Sequence, residues 1–337
     1  MNKTLQQEYS LTSNAQTELA TEKFRLYESE VEKRLQSKKA RERKYAEYEQ
    51  SLLKKAHFVS LNGTIHHYHD SNPTASPETP TVILIHGWDC WWMWWHKVIG
   101  FLAQKNIRAV AYDLKGHGWS DEDVRNDYSL HSLSKDLHAL VEHLGLKRYH
   151  IAAFSLGPFV VLDYAVKNES EIQSLTFFNF GYFPNNPTMS KLIPKVIPFL
   201  FDKVVRKLTW WPALYAYARL TLARNPATKE DILVGMNSLR FCSGNAIKQT
   251  AEQLSKLEIT ENLPKQVAAL NVPMLFVAGK GDQVVSWKNT KKLYEYAKRG
   301  RLEIIKKCGH LITLELPEKT AELIAEQMRL ADGEKRA

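Results

Sequence analysis

Three residues far apart in the chain have the side chains needed for acyl transfer: Ser155, Asp282 and His310. A serine hydroxyl is a poor nucleophile near neutral pH. It needs a base to take its proton, an acid to orient that base, and donors for the oxyanion. Ser155 lies in "HIAAFSLGPFVVLDYA", between an apolar run that reads as a strand and a segment with helical spacing. A strand-to-helix turn of this kind exposes the hydroxyl, and the residues two positions away must be small. Gly157 meets that demand, and Ala153 adds only a methyl group. Asp282 follows the run "PMLFVAG", and His310 follows "RLEIIKK" on a glycine-containing loop. Each residue alone has a plainer reading, Ser155 and His310 as helix caps and Asp282 as a turn former. Together, each after a strand and in the order Ser, Asp, His, they read as nucleophile, orienting acid and base. The expected oxyanion donors are two backbone N–H groups. One is Leu156, directly after the nucleophile, and the other is Trp88 in "LIHGW", where Gly87 lets the backbone approach closely.

The elements around these residues indicate how they are positioned. "AHFVSL" and "TIHHYH" read as paired strands joined by Asn62-Gly63. "TVILIH", "IRAVAYD", "RYHIAAF", "SLTFFNF", "PMLFVAG" and "RLEIIKK" are short apolar runs with helical stretches between most of them. That alternation predicts an α/β fold with a mainly parallel central sheet and helices on both faces. The interval after "FFNF" is too long for a simple connection and reads as a helical cap insertion over the strands' carboxyl ends, where ligands bind in such sheets. Residues 1–53 lack Gly and Pro and are dense in charge. Phe24, Tyr27, Val31 and Leu35 recur there at helical spacing, predicting an N-terminal helical extension. The expected division is 1–53 for the extension, 54–181 with 266–332 for the core, and 182–265 for the cap.

Composition narrows the classes. Of 337 residues, 44% are hydrophobic and 25% charged, as in a globular protein with ample core. Lys and Arg outnumber Asp and Glu by 46 to 37, but no basic stripe or nucleic-acid motif accompanies the formal charge of +9. No nucleic-acid partner is expected. Three widely spaced cysteines, Cys90, Cys242 and Cys308, argue against a disulfide framework or a zinc site and suit a reducing compartment. With no signal-peptide core at the N-terminus and no run of about 18 apolar residues, a cytoplasmic location is expected. His66, His67 and His69 lie on one predicted strand. They are read as His67 on one face and the other two on the opposite face, a poor geometry for a shared metal.

From about His57 to Met328 the chain resembles the α/β-hydrolase superfamily. The resemblance rests on "HGW" at His86–Trp88, "YDLKGHGWSD" at Tyr112–Asp121, "FSLG" at the serine turn, "GKGD" and "CGH". It implies a cap domain, no metal or organic cofactor, and attack by Ser155 on an ester-like carbonyl, with His310 then activating water against the acyl-enzyme. His86 and His117, within these motifs, are expected to organise loops. Ala153 stands where glycine is usual, and Lys115 stands where the family commonly has arginine, keeping the charge but losing the planar fork. The extension has no counterpart in the basic fold.

"WDCWWMWW" places five tryptophans just after the oxyanion loop. Trp91, Trp92 and Phe154, with Trp210 and Trp211 in the cap, are candidate walls for an acyl chain or aromatic group. The competing reading is packing beneath the cap. "KLIPKVIPFLFDKVVRKLTWW" mixes basic and apolar residues and would suit weak contact with a membrane surface. The uncovered stripe of the extension suggests self-association or docking. The expected activity is hydrolysis of a carboxylic ester or thioester with a hydrophobic acyl or alcohol part. Carbon–carbon bond hydrolysis, acyl transfer with the same triad, and an interaction protein on a hydrolase scaffold are the alternatives.

Overall fold

Eight strands form one sheet in the order β1-β2-β4-β3-β5-β6-β7-β8. The computed structural model describes residues 18–182, 196, 198–199, 211–226 and 228–334. The strands are β1 (Ala56–Leu61), β2 (Thr64–Asp70), β3 (Thr81–Ile85), β4 (Arg108–Tyr112), β5 (Tyr149–Phe154), β6 (Ile172–Phe178), β7 (Met274–Gly279) and β8 (Gly300–Ile305). β2 runs antiparallel to both its neighbours, and every pairing from β4 across to β8 is parallel. β3, β5, β6 and β7 are buried along their whole length, which explains why they read as unbroken apolar runs. Strand order reverses beside β3, which lies between β4 and β5, so the crevice for a ligand falls at the carboxyl ends of these strands.

Helices cover both faces. On one side α3 (His96–Ala103) packs with the terminal helix α12 (Pro317–Glu334). On the other, α4 (Leu130–His143) and α5 (Gly157–Asn168) pack together, and α9 (Leu257–Ala269) joins α5. α9 runs across position 265, the expected end of the cap, and its Leu263 and Val267 belong to the buried cluster of this face. Between β6 and α9, which leads into β7, the insertion contributes α6 (Trp211–Tyr217), α7 (Lys229–Phe241) and α8 (Gly244–Leu254). α7 begins with a reciprocal capping box between Thr228 and Asp231. Among the described residues no helix is long and apolar enough to cross a membrane.

The extension forms two helices, α1 (Glu22–Leu35) and α2 (Ala40–Leu53). Its apolar stripe needs no second molecule. Phe24 meets Phe58 and Trp119 edge-on, each at 5.0 Å, and Tyr27 contacts Trp91, Trp119 and Phe241. Val31 is fully buried. The expectation of self-association rested on an uncovered stripe, and the chain's own core covers it. Polar ties follow the same path: Tyr27 donates to buried Glu49, which also pairs with Arg34 at 2.6 Å, and Arg240 of α7 grips Glu30 of α1 through both its terminal nitrogens.

This packing also corrects the reading of the tryptophan run. Trp91 and Trp92 are fully buried in the core under α1, not on a substrate wall. The Trp91 indole donates to the Val234 carbonyl at 3.1 Å, and Trp92 stacks on His69 with ring centroids 4.6 Å apart. Large aromatic side chains supply much of a core's buried area, and here they join the extension to the sheet. His67 also packs on Trp92, whereas His66 stacks on Tyr112. Residues two apart on a strand share a face, so His67 and His69 lie together and His66 lies opposite, contrary to the expected arrangement.

Candidate active site

Ser155, Asp282 and His310 each follow a strand on the carboxyl edge of the sheet, after β5, β7 and β8. The His310 Nδ1 nitrogen lies 2.8 Å from Asp282 Oδ2, and its Nε2 lies 3.2 Å from Ser155 Oγ. When Nδ1–H donates to the carboxylate, Nε2 is left as the acceptor facing the serine hydroxyl. The other Asp282 oxygen accepts the backbone N–H groups of Val284 and Val285 at 2.7 and 2.9 Å, which fixes the plane of the carboxylate. Ser155, His310 and Asp282 are therefore joined in one hydrogen-bonded chain.

The turn at Ser155 is sharp. Its φ is +56°, in the left-handed region, and its N–H is held by the Phe178 carbonyl at 3.0 Å. Gly157 opens α5, and a Cβ there would come within 2.9 Å of the carbonyls of His86 and Ile85. A Cβ on Gly87 would meet the Ser155 side chain at 3.0 Å. These approaches press the His86–Trp88 loop directly against the serine turn. Leu156 is the N-cap of α5, so its N–H precedes the first intrahelical bond. The Trp88 side chain reaches away to α8, donating to Thr250 Oγ1 at 3.0 Å.

The loops behind this site are built on buried polar groups. Burial pushes the His86 imidazole below its ordinary pKa and lowers that of His117 to about 3. A neutral His86 suits its two bonds: Nδ1–H donates to the Gly87 carbonyl at 2.7 Å, and Nε2 accepts the Leu114 N–H at 3.0 Å. It thereby ties the loop after β3 to the loop after β4. Asp113 accepts the N–H groups of Trp92 and Trp119 and pairs with His67 at 2.7 Å. A Cβ on Gly118, at φ +49°, would come within 2.3 Å of that carboxylate. Lys115 is fully buried, and its ammonium meets Asp123 at 2.5 Å, Ser132 at 2.6 Å and Asp136 at 3.1 Å. Three acceptors for three protons make lysine sufficient here without a planar fork.

Phe154 is 1% exposed. Its ring packs 5.1 Å from that of His310 and stacks on Trp94 at 6.1 Å, so it forms a floor beneath the imidazole. Trp210 and the Trp211 side chain lie outside the described residues, as does nearly all of the basic, apolar stretch 191–210. One residue that the sequence reading did not single out is Asn179, at the end of β6. Its side chain accepts the Gly279 N–H at 3.0 Å and donates to the carbonyls of Gly309 at 3.0 Å and His310 at 2.6 Å. The available signal was an asparagine between the last two phenylalanines of the run "SLTFFNF".

Monoacylglycerol lipase ABHD6 from Mus musculus is 26% identical over 264 residues, covering 73% of this chain and 75% of that protein. Monoacylglycerol lipase abhd6-A from Xenopus laevis is 26% identical over 259 residues, 73% of this chain and 74% of that one. Among solved structures, a membrane phospholipase A described as a bacterial virulence factor has a TM-score of 0.68 at 22% identity, covering 82% of this chain and 86% of its own. An esterase from Exiguobacterium antarcticum has a TM-score of 0.66 at 19% identity, covering 81% and 98%. At such identities the structural likeness establishes the fold alone. The model of the α/β-hydrolase fold family matches residues 80–317, a span that takes in β3 to β8 with every loop that carries Ser155, Asp282 and His310. The chain belongs to the α/β-hydrolase fold family.

Proposed function

We propose that the protein is a serine hydrolase acting on carboxylic esters or thioesters with a hydrophobic acyl or alcohol part. The observation that carries this reading is the continuous chain from Ser155 Oγ through His310 to Asp282 at the sheet's carboxyl edge. In the proposed cycle His310 Nε2 takes the Ser155 proton as Oγ attacks the carbonyl carbon. The oxyanion is held by the N–H groups of Trp88 and Leu156, each worth about a hundred- to a thousandfold in rate in sites of this kind. Collapse expels the alcohol or thiol, which leaves with the proton from His310. Water, deprotonated by the same imidazole, then attacks the acyl-Ser155 ester and releases the acid. The relatives named monoacylglycerol lipases support a substrate with a long apolar acyl group, and residues 182–265 are proposed as the cap that receives it.

Labelling with a fluorophosphonate probe tests the reading. Label should attach at Ser155 and be lost in Ser155→Ala, and p-nitrophenyl esters of graded chain length should be turned over with a preference for longer acyl groups. A well-folded protein that neither takes the label nor cleaves any ester would refute it. Product analysis with a diketone, or with an alcohol acceptor in place of water, separates carbon–carbon cleavage and acyl transfer, which would use the same residues.

A further inference from the structure

A segment within the insertion, between α6 and α7, is attached to the loops carrying His310 and Asp282 through one carboxylate. α6 runs into a π-helical turn, Ala218–Leu222, and the chain then passes Ala223, Arg224 and Asn225. Single π-turns often mark places where backbone groups are redirected for use. Here the Leu222 carbonyl accepts the His310 N–H at 2.6 Å, and a Cβ on Gly309 would come within 2.3 Å of that carbonyl oxygen. Glu315, in the short helix α11 (Ile312–Glu315), receives bonds from both sides. Its Oε1 accepts the N–H groups of Gly309 at 3.0 Å and Leu311 at 3.2 Å, the residues flanking His310. Its Oε2 accepts the N–H groups of Arg224 at 2.7 Å and Asn225 at 2.9 Å, and Asn225 Nδ2 lies 3.3 Å away. Two further bonds run alongside: Arg224 Nε donates to the Gly281 carbonyl at 3.0 Å, next to Asp282, and Asn225 Nδ2 donates to the Lys307 carbonyl at 2.8 Å.

A carboxylate can accept four or more N–H groups; a carboxamide has one acceptor oxygen, and its NH₂ would face backbone donors. We infer that Glu315 is a positioning residue for His310, and that through residues 222–225 it makes the placement of the imidazole depend on the placement of the cap. The inference rests on the serine-hydrolase reading for its kinetic consequence, although the junction itself is independent of that reading. A substrate that settles the cap would settle the base with it, while a displaced cap would pull on both neighbours of His310. Small misplacements of a reacting group are costly, reaching about a hundredfold for roughly 1 Å.

The test compares the full-length protein with Glu315→Gln, Glu315→Asp and Asn225→Ala. The substrate is p-nitrophenyl butyrate, and fluorophosphonate labelling and hydrogen exchange of the peptides around 218–226 and 306–316 are followed in parallel. Glu315→Gln should lower kcat about tenfold or more with KM within about twofold, and should slow labelling in proportion. Glu315→Asp, which keeps the charge, should recover part of the rate. Asn225→Ala, which removes the cap segment's side-chain bonds to Lys307 and Glu315 and leaves the Glu315 carboxylate in place, should lower kcat in the same direction by a smaller factor. Exchange should quicken in both peptides together in Glu315→Gln. Unchanged kcat in Glu315→Gln, or a loss matched by the loss of folded protein, overturns the positioning role. Quickened exchange in one peptide only, or an Asn225→Ala enzyme identical to the parent, overturns the link to the cap. If the parent protein takes no label, the serine-hydrolase reading fails, and the exchange result still decides the junction.

Discussion

Replacing Tyr27 with alanine tests whether the N-terminal helices belong to the cooperative core. Tyr27 is 1% exposed, and its ring sits among Trp91, Trp119 and Phe241. Truncating a buried aromatic ring to alanine costs about 3–5 kcal/mol, part of it from the cavity left behind. The change also strips one partner from Glu49, a carboxylate that burial already pushes above its usual pKa, leaving Arg34 as its remaining tie. An unfolding entropy of about 2.1 cal/mol/K per residue gives a chain of this length about 0.7 kcal/mol/K, so a loss of about 4 kcal/mol lowers Tm by about 6 °C. Tyr27→Phe keeps the ring and removes only the hydroxyl, so it should cost about 1–2 kcal/mol and about 1–3 °C. Differential scanning fluorimetry measures both shifts, and limited proteolysis reports cleavage between residues 18 and 53. If Tyr27→Ala melts within about 1 °C of the parent and that segment gains no cleavage, the packing argument for the extension fails.

Three further outcomes follow from the site and its supports. Asp282→Asn removes the charge that orients His310 and should lower kcat by about three to four orders of magnitude while fluorophosphonate labelling slows, a result read by steady-state kinetics with an ester. Lys115→Met leaves the buried carboxylates of Asp123 and Asp136 without their ammonium and should destabilise the protein by about 3–5 kcal/mol, measured by thermal or urea melts. Acid should weaken the fold well above the carboxylate range. Burial lowers the pKa of His96 to about 4 and that of His117 to about 3, so between those values and about 6.5 the unfolded chain binds protons that the folded chain refuses. Stability from these groups is complete above about pH 6.5 and declines as the pH falls toward 4, by on the order of 1.4 kcal/mol per unit for each histidine. A melting temperature that stays flat from pH 7 to pH 4.5 would contradict this.

The meeting of Ser155, Asp282 and His310 could be anticipated because each follows a strand end, and strand ends can be read from apolar runs bounded by glycine. Ala153 is fully buried within β5 beside the turn. Asn179 and Glu315 were not legible as parts of the site, because they act through backbone groups that adjoin them only after folding. The run Trp91–Trp95 misled for a related reason. Sequence records that its rings are apolar and bulky, which suits a pocket wall and a core equally, and what decides is the position of α1. The stripe Phe24, Tyr27 and Val31 correctly announced a helix with a buried face, but a helical period carries no information about which surface does the burying.

The backbone at Ser155 has a consequence for anyone selecting hardier forms of this protein. A residue with a Cβ held at φ +56° gives up about 1–2 kcal/mol that glycine would not. Glycine at this position should therefore raise the melting point while removing the proposed nucleophile. A screen that rewards survival of heat, without also requiring turnover, would be drawn toward variants that lack the proposed nucleophile.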